Sequence, residues 1–197
     1  MVRRVNVWSL SIIFTSIIVA CGGTPVDQVD FGESRTFVGR SKCASCHSEI
    51  AALWEGSDHD LSMQVANEST VLGNFDGEIF KYAGISSVFE KREGRFFVRT
   101  EGPEGALEEY EILYTFGVNP LQQYLIQLEG GRYQALSIAW DTRSVEKGGG
   151  RWFHLYPDQK IDYKDPLHWT KPLQNWNRMC AFCHSTGLRK HYDLKED

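Results

Sequence analysis

Two short strings constrain this chain more than anything else in it: Cys43-Ala44-Ser45-Cys46-His47 and Cys180-Ala181-Phe182-Cys183-His184. Each is a C-x-x-C-H motif. With 6 His in 197 residues, a His follows any given C-x-x-C by chance about 3% of the time, and two such coincidences have odds of order one in a thousand. Within one helical turn, positions i, i+3 and i+4 share a face, so two thiols and one imidazole can address one flat ring together. That is the attachment signature of c-type haem, with the thiols bonded to the two vinyl groups and the imidazole on iron. The strings predict two covalent haems on Cys43, Cys46, Cys180 and Cys183, with His47 and His184 as proximal iron ligands.

Rival uses of the cysteines explain less. A zinc site assembled from both C-x-x-C pairs would bridge 133 intervening residues and leave both His unexplained. Thioredoxin-like chemistry needs a βαβ setting that neither neighbourhood shows. Structural disulfides also leave the His to coincidence.

The N-terminus places the chain outside the cytoplasm. Arg3 and Arg4 precede an uncharged apolar stretch from Val7 to Val19, which reads as an export signal over residues 1–20. As a helix those 13 residues would reach only about 20 Å, short of the ~30 Å hydrocarbon core. The stretch ends Ile18-Val19-Ala20-Cys21, a pattern similar to a bacterial lipobox, so Cys21 is expected to carry lipid and become the mature N-terminus. Gly22 beside it resembles lipoproteins passed on to the outer membrane, which makes the location periplasmic or outer-membrane. Residues 21–36 then form a flexible lipid-anchored tether, and residues 37–197 a dihaem cytochrome c domain. Losing residues 1–20 removes two Arg and no acid, taking the formal charge from -5 to -7. That sign argues against a nucleic-acid partner.

Between the motifs the periodicity changes. Residues 44–54 carry Ile50, Leu53 and Trp54 at helical spacing, so the first motif is expected to open a helix that weakens at Gly56-Ser57. Ser87–Arg92, a Glu93-Gly94 turn and Arg95–Thr100 predict a hairpin. Tyr110, Ile112 and Tyr114 suggest a further strand, residues 124–128 and 133–140 a second hairpin, and 152–156 a short strand. The expected fold class is α+β: a small antiparallel β-unit inserted between two helical C-x-x-C-H segments.

Longer strings add a family resemblance. GSDHDLSM (56–63), YTFGVNPLQQYLIQLEGGRYQAL (114–136), RWFHLYPD (151–158), DPLHWT (165–170) and CAFCHSTGLRKHYD (180–193) resemble the cytochrome c-552/4-type multihaem cytochromes, over about residues 37–197. They are most similar to members that continue into tetratricopeptide repeats. The resemblance implies at least one further haem and repeat domains downstream. This chain stops 13 residues after His184, so it reads as truncated.

His59, His154, His168 and His191 compete for the distal iron positions, with Met63 and Met179 as thioether alternatives. His59, 12 residues after His47 and ~18 Å along a straight helix, is a poor cap for its own haem. The resemblance implies that a His at this offset serves a neighbouring haem. His154 and His168 are the other main distal candidates; His191 lies in a charged tail, and Met179 abuts Cys180. Spare His and the absence of an acid-base or nucleophile constellation favour electron transfer to redox protein partners, with no catalytic residue assigned. The alternative is a haem redox enzyme with one open iron acting on small nitrogen or sulfur species. A third reading is a haem sensor or assembly module.

Overall fold

A computed structural model describes residues 38–185; the expected export segment, Cys21, the expected tether and His191 lie outside the described residues. Four short helices flank nine strands. Helices α1 (Arg40–Ala44) and α2 (Ser48–Trp54) come first, and α3 (Trp176–Met179) and α4 (Ala181–His184) last. The strands are β1 (Met63–Val65), β2 (Asp76–Tyr82), β3 (Ile85–Arg92), β4 (Arg95–Glu101), β5 (Leu107–Phe116), β6 (Leu121–Leu128), β7 (Arg132–Ala135), β8 (Ile138–Asp141) and β9 (Arg151–His154).

Local chemistry sets the meander. The β3–β4 hairpin turns on Glu93 and Gly94 with φ of 51° and 75°, the doubly positive pair that suits a two-residue hairpin loop. In β4, Phe96, Val98 and Thr100 face inward while Arg95 and Arg99 face water, the period-2 alternation of a half-buried strand. Neighbouring strands pair antiparallel in the order β2-β3-β4-β5-β6-β8-β9, with β1 added on β5 and β7 on β6.

The two end strands meet without a backbone ladder between them, and side chains bridge the gap. Trp152 of β9 stacks on Phe89 of β3 at 3.6 Å between ring centroids, and its indole N–H donates to the Asn74 carbonyl at 3.2 Å. His154 of β9 stacks on Tyr82 of β2 at 3.8 Å, and the Tyr82 hydroxyl donates to the Tyr156 carbonyl at 2.6 Å. The result is a nearly closed, barrel-like sheet. At its centre the Phe75 ring meets Phe89, Phe96, Tyr124 and Trp152 edge-on, with centroids 5.1–5.5 Å apart. Each such pair adds about 0.5–1.5 kcal/mol beyond its buried area.

This architecture overturns the expected α+β arrangement of a small β-unit between helical segments. The sheet is the body of the described residues, and among them no helix exceeds seven residues. Three differences account for it. Residues 76–82 form a strand, β2, although Gly77 and the polar Asp76, Glu78 and Lys81 hide its pattern. The segment expected as one strand over 133–140 breaks at Leu136-Ser137, so that β7 and β8 pair with different stretches of β6. The first helix is two pieces, since His47 takes φ -120° and ψ 46°, outside the helical region.

Candidate functional site

The second motif is built onto the barrel. Asn175 caps α3, its side-chain oxygen accepting from the Arg178 N–H at 3.1 Å. The Asn175 amide donates to the Gln134 side-chain oxygen at 2.8 Å, while the Gln134 amide donates to the Trp169 and Lys171 carbonyls at 2.9 and 3.0 Å. Asn177 accepts from the Tyr133 N–H at 2.7 Å. These bonds fasten the chain entering α3 to β7. Beneath them Trp176 and Ala181 pack with Leu125 and Ala135 of the sheet, bordered by Met63, Tyr114, Phe116, Tyr133 and Cys180.

On that base Cys180 to His184 form one turn, with the Cys183 and His184 amides both donating to the Cys180 carbonyl at 3.1 Å. The Phe116 ring stands edge-on to the His184 imidazole at 4.7 Å. Burial pushes the Cys180 thiol above its usual pKa, and the neighbouring Cys183 adds to the effect. Cys183 and His184 are exposed.

The first motif is shaped differently. The Cys46 and His47 amides donate to the Cys43 carbonyl at 3.2 and 3.0 Å, so one turn survives although the helices on either side are separate. Arg40 ties them together, its guanidinium 5.5 Å from the Trp54 ring and 2.9 Å from the Glu55 carboxylate. Neither α1 nor α2 buries a residue. Ile50 and Leu53 are 66% and 78% exposed, and Phe182 beside the second motif is 84% exposed. Apolar surface gathered around both motifs suits a flat apolar group lying over them.

All four thiols are free, and Cys43, Cys46 and Cys183 are exposed. Among the described residues no three His, Cys, Asp or Glu side chains gather as a metal site, so the two C-x-x-C pairs do not assemble into a zinc centre. Each motif turns two thiols and an imidazole within a single backbone turn beside open apolar surface. The residues fit c-type haem.

The other described histidines divide into two kinds. His59 is exposed in the turns before β1. Three residues on, the Ser62 carbonyl accepts from the Gly117 N–H at 2.7 Å, and Met63 pairs with Phe116, the residue against His184. The structure therefore brings the His59 segment to the sheet end that carries the second motif. His154 and His168 are instead 7% and 5% exposed and line a cavity of about 30 Å³ inside the barrel, far too small for a porphyrin. Burial pulls the pKa of both down to about 4, and for His168 the charge of Lys171 adds to it.

Sequence reasoning missed Phe116, the Gln134–Asn175 pair, and Glu101 and Ser137 in the cavity wall. Phe116 carried a signal, an aromatic at the end of a strand within a recognised string; the others carried none, because their roles depend on partners 30 or more residues away. Compared with known proteins, the chain matches no family model, no curated protein and no solved structure.

Proposed function

We propose that the protein is an extracytoplasmic electron-transfer cytochrome that binds two c-type haems covalently, one at each C-x-x-C-H motif. The observation that carries the reading is the pair of motifs, each a single turn with free thiols and an exposed imidazole beside uncovered apolar side chains. Haem iron, when bound, supplies a centre that holds and releases one electron.

The chain's own residues do the rest. Cys43, Cys46, Cys180 and Cys183 would each hold the group through a thioether, the S–H adding across a vinyl double bond, so the attachment would need no oxidant. His47 and His184 offer a ring nitrogen to iron. Phe116 restricts how the His184 ring can turn. His59 is the distal ligand that best suits the His184 site, since its segment is fastened beside Phe116. His154 and His168 are left to the barrel interior. Redox proteins are the partners, and lipid on Cys21 would hold the mature protein at a membrane surface. The resemblance to cytochrome c-552/4-type proteins agrees with this reading.

Intact mass tests it. Expressed with a cytochrome c maturation system, the mature chain is expected to carry two haems that survive acid-acetone extraction. One haem or none refutes the two-site reading. A fully six-coordinate spectrum supports a carrier, whereas a stable high-spin haem that binds carbon monoxide in the wild type favours the alternative of a redox enzyme with an open iron.

A further inference from the structure

Inside the barrel, away from both motifs, the cavity of about 30 Å³ between Tyr82, Glu101, Ser137, His154 and His168 is large enough for a water molecule, which needs about 10–15 Å³. Two of the residues that line it carry a buried side-chain oxygen without a hydrogen-bond partner, Glu101 Oε2 and Ser137 Oγ. Buried polar atoms in folded proteins are nearly always satisfied, by protein or by water. His168 Nε2 lies 3.6 Å from Glu101 Oε2, too far for a direct hydrogen bond and the kind of gap that a bridging molecule fills.

The backbone decides what the guest is. The Tyr156 N–H donates to His154 Nδ1 at 3.1 Å. The Thr170 N–H donates to His168 Nδ1 at 3.4 Å, and the Thr170 hydroxyl lies 2.9 Å from the same nitrogen. With Nδ1 an acceptor on both rings, each neutral imidazole carries its proton on Nε2. A nitrogen holding a proton has no lone pair for a metal ion, and an anion would meet the Glu101 carboxyl. The guest must be small and uncharged, accept an N–H bond and donate through hydrogens of its own.

We propose that the cavity is a binding site for one ordered water, which accepts from His168 Nε2–H and donates to Glu101 Oε2 and Ser137 Oγ. It completes the hydrogen bonding of β4, where Glu101 sits, the Ser137 link between β7 and β8, and the loop that carries His168. It does not depend on the haem reading.

A high-resolution crystal structure of the intact protein is expected to show one water peak at hydrogen-bond distance from those three atoms. Oxygen-17 relaxation dispersion is expected to count one long-lived internal water that is lost in Ser137→Val, where two methyls take the place of the hydroxyl and one hydrogen and fill the space. Should that variant fail to fold, Ser137→Ala keeps the space and is expected to shorten the residence time about five- to tenfold, the weight of one hydrogen bond. An empty cavity, one collapsed so that His168 bonds Glu101 directly, or one holding a metal ion overturns the proposal. So does a long-lived water that Ser137→Val leaves unchanged.

Discussion

At the scale of single residues, the two kinds of histidine in this chain differ by what surrounds them rather than by their place in the sequence. His59 is exposed between Asp58 and Asp60. His154 is held flat against Tyr82, with Nδ1 engaged by backbone. If His59 caps the iron at His184, His59→Ala is expected to turn one low-spin haem high-spin and able to bind carbon monoxide, and adding Cys180→Ala with Cys183→Ala removes that signal. A carbon-monoxide-binding haem that persists in the triple variant would assign His59 to the His47 iron instead. An unchanged low-spin spectrum in His59→Ala removes it from the ligand set.

At the scale of elements, the barrel depends on how its two end strands are joined. Trp152 is 4% exposed and touches four aromatic rings, Phe75, Phe89, Tyr124 and Trp140. Trp152→Ala is expected to cost about 3–5 kcal/mol, read from chemical denaturation with the m-value checked for two-state unfolding. A loss below about 1 kcal/mol would mean that the β2 and β9 edges are held by something else. The strands themselves were partly legible. The hairpin of β3 and β4 follows from its alternation and its Glu93-Gly94 turn, the middle of β5 from the spacing of Tyr110, Ile112 and Tyr114, and the second half of β6 from the apolar run at 124–128. β2 was hidden, because four of its seven residues are charged or glycine, and its inward positions are only half-buried. The closure could not be read at all: it rests on rings brought together from residues 82, 89, 152 and 154. The motif residues were readable because their chemistry is local, five consecutive positions on one turn. The base beneath the second motif was not, because Gln134 and Asn175 lie 41 positions apart.

At the scale of the whole molecule, burial of two neutral imidazoles makes stability depend on acidity. In the unfolded chain both His take up protons near 6.5, whereas in the folded barrel both hold out until about 4. Between those values the unfolded chain binds more protons, so the stability that these two groups contribute falls as pH drops from about 6.5 to 4, and their share of the loss is complete below that. Glu101, raised chiefly by burial, works in the opposite sense and is one group against two. The melting temperature is expected to decline through this window, and His154→Gln with His168→Gln to flatten the decline. A melting temperature indifferent to pH there would show that the barrel admits the imidazolium form. The contrast between the two motifs has a further consequence, for the order of biogenesis. On the dihaem reading, the second site is a finished seat, since Phe116, Trp176 and the Asn175–Gln134 pair stand ready once the barrel has folded. The first is nothing of the kind: α1 and α2 bury no residue, and among the described residues no part of the sheet covers Ile50 or Leu53. On that reading one prosthetic group would dock onto the protein, while around the other the protein would finish folding.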